Sequence, residues 1–298
     1  MTEFLQLVFA GVAVGARYAL VALGFVIIYR ATGVINFAQG ALVALGAYLT
    51  YAFANSAALP FFVAVLLALV AAGLVGASIE RLVLRRMVGQ PVFAVIMITI
   101  GLLIIGEQVI TTIWGFEALN LADPWGVQTV EAGGVVFAVS DLWTLGLAAT
   151  VLGAFFLFFR FSRLGVAMRA TAFDPEAALA QGISARRVFA ASWAIAAALG
   201  ALAGVTLASG AAALSPGLGA IALVAFPAMI VGGMDSPAGA VLGGLIIGVT
   251  QSLTAGYQED LIPWAGNNFA AVMPYVVMIL ILLVRPYGLF GTPEVRRV

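Results

Sequence analysis

Apolar runs long enough to cross a bilayer recur along this chain. A helix needs about 20 residues, at 1.5 Å each, to span the hydrocarbon. Such runs cover Leu5 to about Tyr29, Phe61 to about Leu84, Val92 to Trp114, Leu142 to Phe159 and Val188 to Ala212. Shorter ones cover about Ala41–Phe53, Ala220–Val231, Ala238–Leu253 and Phe269–Val284. With 64% hydrophobic and 9% charged residues, the chain cannot bury its apolar surface as a soluble domain, which carries roughly 25% charge. The expected fold is all-α, a polytopic transmembrane helical bundle with residues 1–298 as one domain.

Composition excludes several function classes. Formal net charge is zero, so nothing points to nucleic acid. There is no Cys and no His, which removes disulfides, thiolate nucleophiles, haem ligation, the usual zinc sites and the commonest general base. No metal or cofactor is expected. All the basic residues are Arg. Met1-Thr2-Glu3 carries an acid where a signal peptide is basic, and the first run exceeds an h-region, so no cleaved leader is expected.

Polar, glycine-bounded breaks interrupt the runs. One is Gly33-Val34-Ile35-Asn36-Phe37-Ala38-Gln39-Gly40, and another is Gly232-Gly233-Met234-Asp235-Ser236-Pro237. Ala220–Val231 is too short to cross comfortably alone. It reads as a half-helix, a re-entrant turn or a span extended by its flanks, giving 8–9 spans with interrupted helices. Arg placement sets orientation. Arg30, Arg81/Arg85/Arg86, Arg160/Arg163/Arg169/Arg186/Arg187 and Arg285/Arg296/Arg297 mark the inside. The loops 116–141 and 256–268 carry acids and no Arg, and mark the outside. The N-terminus is therefore expected outside and the C-terminus in the cytoplasm, which favours nine crossings.

Residues 34–41 weakly echo residues 233–240, and interrupted segments at matching positions of a repeat point to a transport pathway. Chance is a rival reading in a Gly- and Ala-rich chain. The pairs Gly11/Gly15, Gly200/Gly204, Gly239/Gly243 and Gly244/Gly248 read as close helix packing.

The most informative polar stretch is 161–187, between two spans on the Arg-rich side. Asp174-Pro175-Glu176 is a strong helix start: a cap, a proline at the first position, an acid at the positive end of the dipole. Ala177-Ala178-Leu179-Ala180 continue it, and Gly182 stops it. Ser184 is placed to cap the next helix, with Arg186 and Arg187 in its first turn. A two-turn helix between linkers is too short to be stable alone. Neighbouring helix ends or a partner's groove must hold it.

Glu176-Ala177-Ala178 followed by Gly182 resembles the EAA loop of ABC importer permeases, the coupling helix that docks on the ATPase. Other stretches narrow the family. Gly15-Ala16-Arg17-Tyr18-Ala19-Leu20, Thr32-Gly33-Val34-Ile35-Asn36-Phe37-Ala38-Gln39-Gly40, Glu80-Arg81 ahead of Arg85-Arg86, Met168-Arg169-Ala170 and Val231–Ala240 are similar to LivH-type branched-chain amino-acid permeases. Arg17 departs from the uncharged residue expected there. The resemblance implies an ABC importer permease fold in the bacterial inner membrane. It implies a LivM-like second permease, two LivG/LivF-like ABC ATPase subunits and a periplasmic substrate-binding protein as partners. Asp174, Glu176, Ala177, Ala178, Gly182 and Arg186 would couple to the ATPases. No ATP site is expected here, since there is no Gly-x-x-x-x-Gly-Lys-Ser/Thr and no Lys.

Arg17 falls mid-run, and an intramembrane Arg usually faces the bundle interior. Glu107, inside the fourth run, is its natural partner; the alternative is that one or both snorkel to an interface. Asn36, Gln39, Asp235 and Ser236 sit in the breaks. They read either as lining a pathway or gate or as caps at a membrane surface. Trp114, Phe116 and Trp125 read equally as an outer aromatic belt or as a contact for the binding protein.

The expected function is uptake of branched-chain amino acids by alternating access, driven by partner ATPases. A urea or short-amide permease shares these motifs. A stand-alone channel or secondary carrier would need coupling carboxylates, for which only Glu107 and Asp235 are placed. A membrane enzyme is the most distant reading, lacking His, Cys and paired acids.

Overall fold

The computed structural model describes residues 2–121, 123–210, 212–261 and 268–292. Helices α1 (Thr2–Thr32), α2 (Gln39–Tyr51), α3 (Phe61–Leu82), α4 (Val92–Trp114) and α5 (Val139–Phe161) come first. Then follow α6 (Arg163–Phe173), α7 (Pro175–Ala180), α8 (Ala185–Leu207), α9 (Ile221–Gly232), α10 (Pro237–Leu261) and α11 (Met273–Val284). Six helices are long and apolar enough to cross a membrane, and 216–232 and 273–284 are shorter apolar segments. The protein is a multi-pass helical membrane bundle.

α1 is the axis. Its residues from Ala16 to Ile28 are almost all buried, and α10, α8, α9 and α5 pack around it. At 31 residues it is about 46 Å long, well beyond the hydrocarbon thickness. Small residues let its neighbours approach. A Cβ on Gly248 of α10 would stand 2.2 Å from the Gly15 amide nitrogen, and one on Gly204 of α8 2.0 Å from the Val43 carbonyl oxygen. The glycine spacings therefore mark helix contacts.

The 116–141 loop departs from the all-α expectation. Thr129–Ala132 (β1) and Val135–Ala138 (β2) form an antiparallel hairpin, Thr129 opposite Ala138. Its turn is Gly133-Gly134, at φ 61° and 79°, the geometry that favours glycine in two-residue hairpins. The hairpin lies against the start of α1, with Phe9 edge-on to Phe137 at 4.5 Å. Trp125 is buried, stacked on Trp143 at 5.4 Å and edge-on to Phe61 at 5.3 Å. Trp114 packs on Tyr48, while Phe116 is exposed.

At the Arg-rich end, Arg30 and Arg169 both lie over the Phe159 ring, at 5.6 and 5.4 Å, which ties the ends of α1, α5 and α6. The polar loop expected over 256–268 is instead helical to Leu261, as the end of α10, and residues 262–267 lie outside the described residues. Arg296 and Arg297 also lie outside them.

Candidate functional site: two broken helices, two cavities and a short capped helix

Both short segments are halves of interrupted spans. After α1 the chain turns back into the bundle through a bend and a turn over residues 33–38, and α2 starts only at Gln39. Gln39 is fully buried at the level of Gly24, with Nε2 donating to the Ala196 carbonyl of α8 at 3.1 Å. After α8 the chain returns through 212–215 to a 3-10 turn, Pro216–Ala220, and then α9. The two starts meet at Gly40 and Gly219. Neither start has a side-chain cap. At these starts the Gln39 N–H donates to the Asn36 carbonyl at 3.2 Å and the Leu218 N–H to the Ser215 carbonyl at 3.0 Å, and no side chain caps the rest of either first turn.

Two cavities flank the first break. One, of about 440 Å³ counted to its mouth, is walled by Phe25, Phe37, Leu103, Glu107, Gly219 and Phe226. The other, of about 740 Å³, is walled on its polar side by Thr32, Asn36, Glu80, Gln90 and Thr99. Adjacent residues face opposite ways: Asn36 lines the larger cavity and Phe37 the smaller. The Phe37 N–H donates to Thr99 Oγ1 at 3.3 Å, which fixes the partition to α4. Phe37 stacks on Phe226, centroids 6.2 Å apart. Asn36 is 1% exposed; its Oδ1 accepts from the Ala38 N–H, and its Nδ2 is buried with no partner among the described residues. Gln39 Oε1 is likewise buried and unpartnered.

Arg17 does not meet Glu107. Its Nη2 donates to Asp141 Oδ1 at 2.7 Å, with Thr144 Oγ1 at 3.4 Å. Asp141 lies in the first turn of α5, and the packing of α5 on α1 brings that turn level with Arg17. Asp141 there also favours the positive end of the α5 dipole. Glu107 instead faces the Gly40–Gly219 junction, with Oε1 3.4 Å from where a Gly219 Cβ would stand.

The second break holds capping groups. Ser236 Oγ accepts from the Gly239 N–H at 3.0 Å, capping α10. Asp235 accepts from the Thr292 N–H at 3.2 Å and from its hydroxyl, pinning the C-terminal segment. Neither residue lines the two cavities. Gly40 of the first break packs on Gly219 and not on the second break.

The polar stretch 161–187 is more helical than its sequence suggested. The leading linker is itself a helix, α6, capped by Ser162 Oγ on the Gly165 N–H at 2.8 Å. Asp174 Oδ1 then accepts from the N–H groups of Glu176 (3.0 Å) and Ala177 (2.9 Å). α7 ends at Gly182, φ 79°. Ala178 is 4% exposed and anchors α7, while Glu176, Ala177, Leu179 and Arg186 are exposed. Ser184 takes the cap position of α8 without a side-chain bond. Phe173, 93% exposed, and Leu179, 55% exposed, give this polar region apolar surface.

Sequence reasoning missed Phe37, Phe226, Gly219 and Asp141. The break itself pointed to Phe37, as the only aromatic in it. Pro216-Gly217 before a short run pointed to the half-helix. Nothing distinguishes Phe226 within an apolar helix.

Residues 7–282 match the family of the branched-chain amino acid transport system permease component. The high-affinity branched-chain amino acid transport system permease protein LivH of Escherichia coli is 33% identical, with 99% of this chain and 98% of the relative covered. BraD of Pseudomonas aeruginosa, described in the same terms, is 31% identical over the same shares. A probable LivH of Methanocaldococcus jannaschii is 27% identical over 91% of this chain and 88% of its own. Among solved structures, PsaBC from Streptococcus pneumoniae in complex with Fab superposes with a TM-score of 0.51 at 17% identity, covering 95% of this chain and 92% of that one; it supports the fold alone. On the family match and the identity to LivH along nearly all of its length, this chain belongs to the branched-chain amino acid transport permeases.

Proposed function

We propose that this chain is one membrane subunit of an ATP-driven importer that carries branched-chain amino acids inward by alternating access. Its partners are a second, LivM-like permease, two ATPases of the LivG/LivF kind and a substrate-binding protein outside the membrane. The chain hydrolyses no ATP itself. The observation that carries the reading is α7: a capped six-residue helix, anchored by Ala178 and otherwise exposed, in a family of transport permeases. So short a helix needs external support, and a groove on an ATPase supplies it.

In this reading nine segments cross: α1 to α5, α8, the Pro216–Gly232 segment, α10 and α11. The N-terminus lies outside and the Arg-rich end inside. Asp174, Glu176, Ala177, Ala178, Gly182 and Arg186 form the surface that receives the ATPase stroke. Asn36, Phe37 and Gln39 form the partition between an outer and an inner cavity. Asp235 and Ser236 act on the pathway only by holding the junction of α9, α10 and the C-terminal segment.

Reconstitution with the four partner proteins in proteoliposomes tests this. Leucine uptake should require ATP, the binding protein and both permeases. Uptake of a branched-chain amino acid by this chain alone would overturn the reading in favour of a stand-alone carrier. ATP-driven uptake of urea and not of leucine would favour the short-amide permease.

A further inference from the structure

The cavity at the meeting point of the two broken spans has one charged group in its wall. Glu107 projects into it from α4, with its carboxylate beside Gly219. Among the described residues, that carboxylate has no hydrogen-bond or ion-pair partner; Arg17 is taken by Asp141 and Arg85 by Glu80. Three phenyl rings stand in the same wall, Phe25, Phe37 and Phe226, with Phe25 edge-on to Phe226 at 6.0 Å. A carboxylate beside aromatic and aliphatic groups is costly without a cation to meet it. Ring faces attract cations as well. Leu103 and Leu223 complete an aliphatic side, and the mouth lies by Leu223, which is 54% exposed.

An alkyl ammonium fits this chemistry. Its charged end pairs with the carboxylate in a low-dielectric wall, and its chain lies among phenyl and leucyl groups. We propose that Glu107 binds the ammonium group of the transported amino acid in this cavity, with Phe25, Phe37, Leu103 and Phe226 enclosing its aliphatic side chain. The proposal deepens the importer reading and rests on it for the identity of the cargo. The uncapped start of α2 supplies amides of the opposite polarity for the carboxylate end, so the cavity orients a zwitterion.

The chain has no cysteine, so Leu103→Cys places a single thiol of this subunit in the cavity. In the complete reconstituted transporter, its labelling is followed with a cationic and an anionic methanethiosulfonate, each normalised to its rate with a free thiol. Glu107 should make the cationic reagent about tenfold the faster, as one unscreened charge a few ångströms away would. Adding Glu107→Gln should bring the ratio to about one, and Glu107→Asp should keep most of the preference. Leucine and isopentylamine should slow labelling, and 4-methylpentanoate should not. Equal normalised rates beside a native Glu107 would overturn the proposal, as they would if a cation of the second permease neutralised it. So would protection by the carboxylate analogue and not by the amine. Labelling is read without transport, so a complex that shows the charge preference but imports no branched-chain amino acid overturns only the importer reading.

Discussion

Gly40 and Gly219 meet backbone to backbone. A Cβ on Gly40 would stand 2.6 Å from the Gly219 carbonyl oxygen, and one on Gly219 2.9 Å from that of Gly40. No side chain can yield at this contact. Gly40→Ala should therefore force the starts of α2 and α9 apart and destabilise the protein by about 1–3 kcal/mol, the usual cost of overpacking. Gly101→Ala, in open space on α4, should be neutral or slightly stabilising. Thermal melts of the purified chain distinguish the two. Equal melting temperatures would show that the two spans do not touch there.

The Arg17–Asp141 pair should be structural. Its side chains are only 15% and 21% exposed, so removing one partner leaves a largely desolvated charge. Asp141→Asn should cost about 1–3 kcal/mol, and Arg17→Ala a similar amount, since an orphaned charged partner carries the larger penalty. The double variant should cost less than the sum of the two. Arg17 and Glu107 should show no such coupling. Melting temperatures of the single and double variants check both statements.

The α7 surface makes a different prediction. Asp174→Ala removes two N-cap hydrogen bonds and should weaken α7 by about 1 kcal/mol. Gly182→Val puts a β-branched residue at φ 79° and should distort the helix end. Glu176→Lys combined with Gly182→Val should leave the membrane bundle folded, while ATPase stimulation by the loaded binding protein falls at least several-fold. Unchanged transport and unchanged ATPase assembly would remove α7 from the coupling path.

How much of this was legible in the sequence depends on how local the signal is. The Asp174-Pro175-Glu176 start and the Gly182 stop are decided within a few residues, and both appear as read. The hairpin was equally local, Gly133-Gly134 between Thr129-Val130 and Val135-Val136-Phe137, and the acids around it pointed only to a loop. The partner of Arg17 was not local. It depended on which helix end packs beside the middle of α1, and run lengths do not encode relative height. Ser236 and Asp235 stood in a break much like Asn36 and Gln39. Only the tertiary arrangement puts one break deep beside α8 and gives the other to a helix cap and the C-terminal segment.

Phe37 provides the sharpest test of the pathway. The non-helical residues before α2 are the wall between the two cavities, and Phe37 is its bulkiest side chain. The ring stacks on Phe226, and the backbone is held by Thr99. Neither contact is an α-helical backbone hydrogen bond, so the partition can move without breaking one. Phe37→Ala should join the cavities and let leucine leak from loaded proteoliposomes without ATP, at several times the wild-type rate. Phe37→Leu should leak less, because more of the volume remains. Thr99→Val should free the Phe37 N–H and raise the leak with the ring still present. Binding-protein-stimulated ATP hydrolysis should persist in all three, so that uptake per ATP falls while turnover does not. If Phe37→Ala proteoliposomes hold leucine as tightly as wild type and take it up at the same yield per ATP, the path does not run past Phe37.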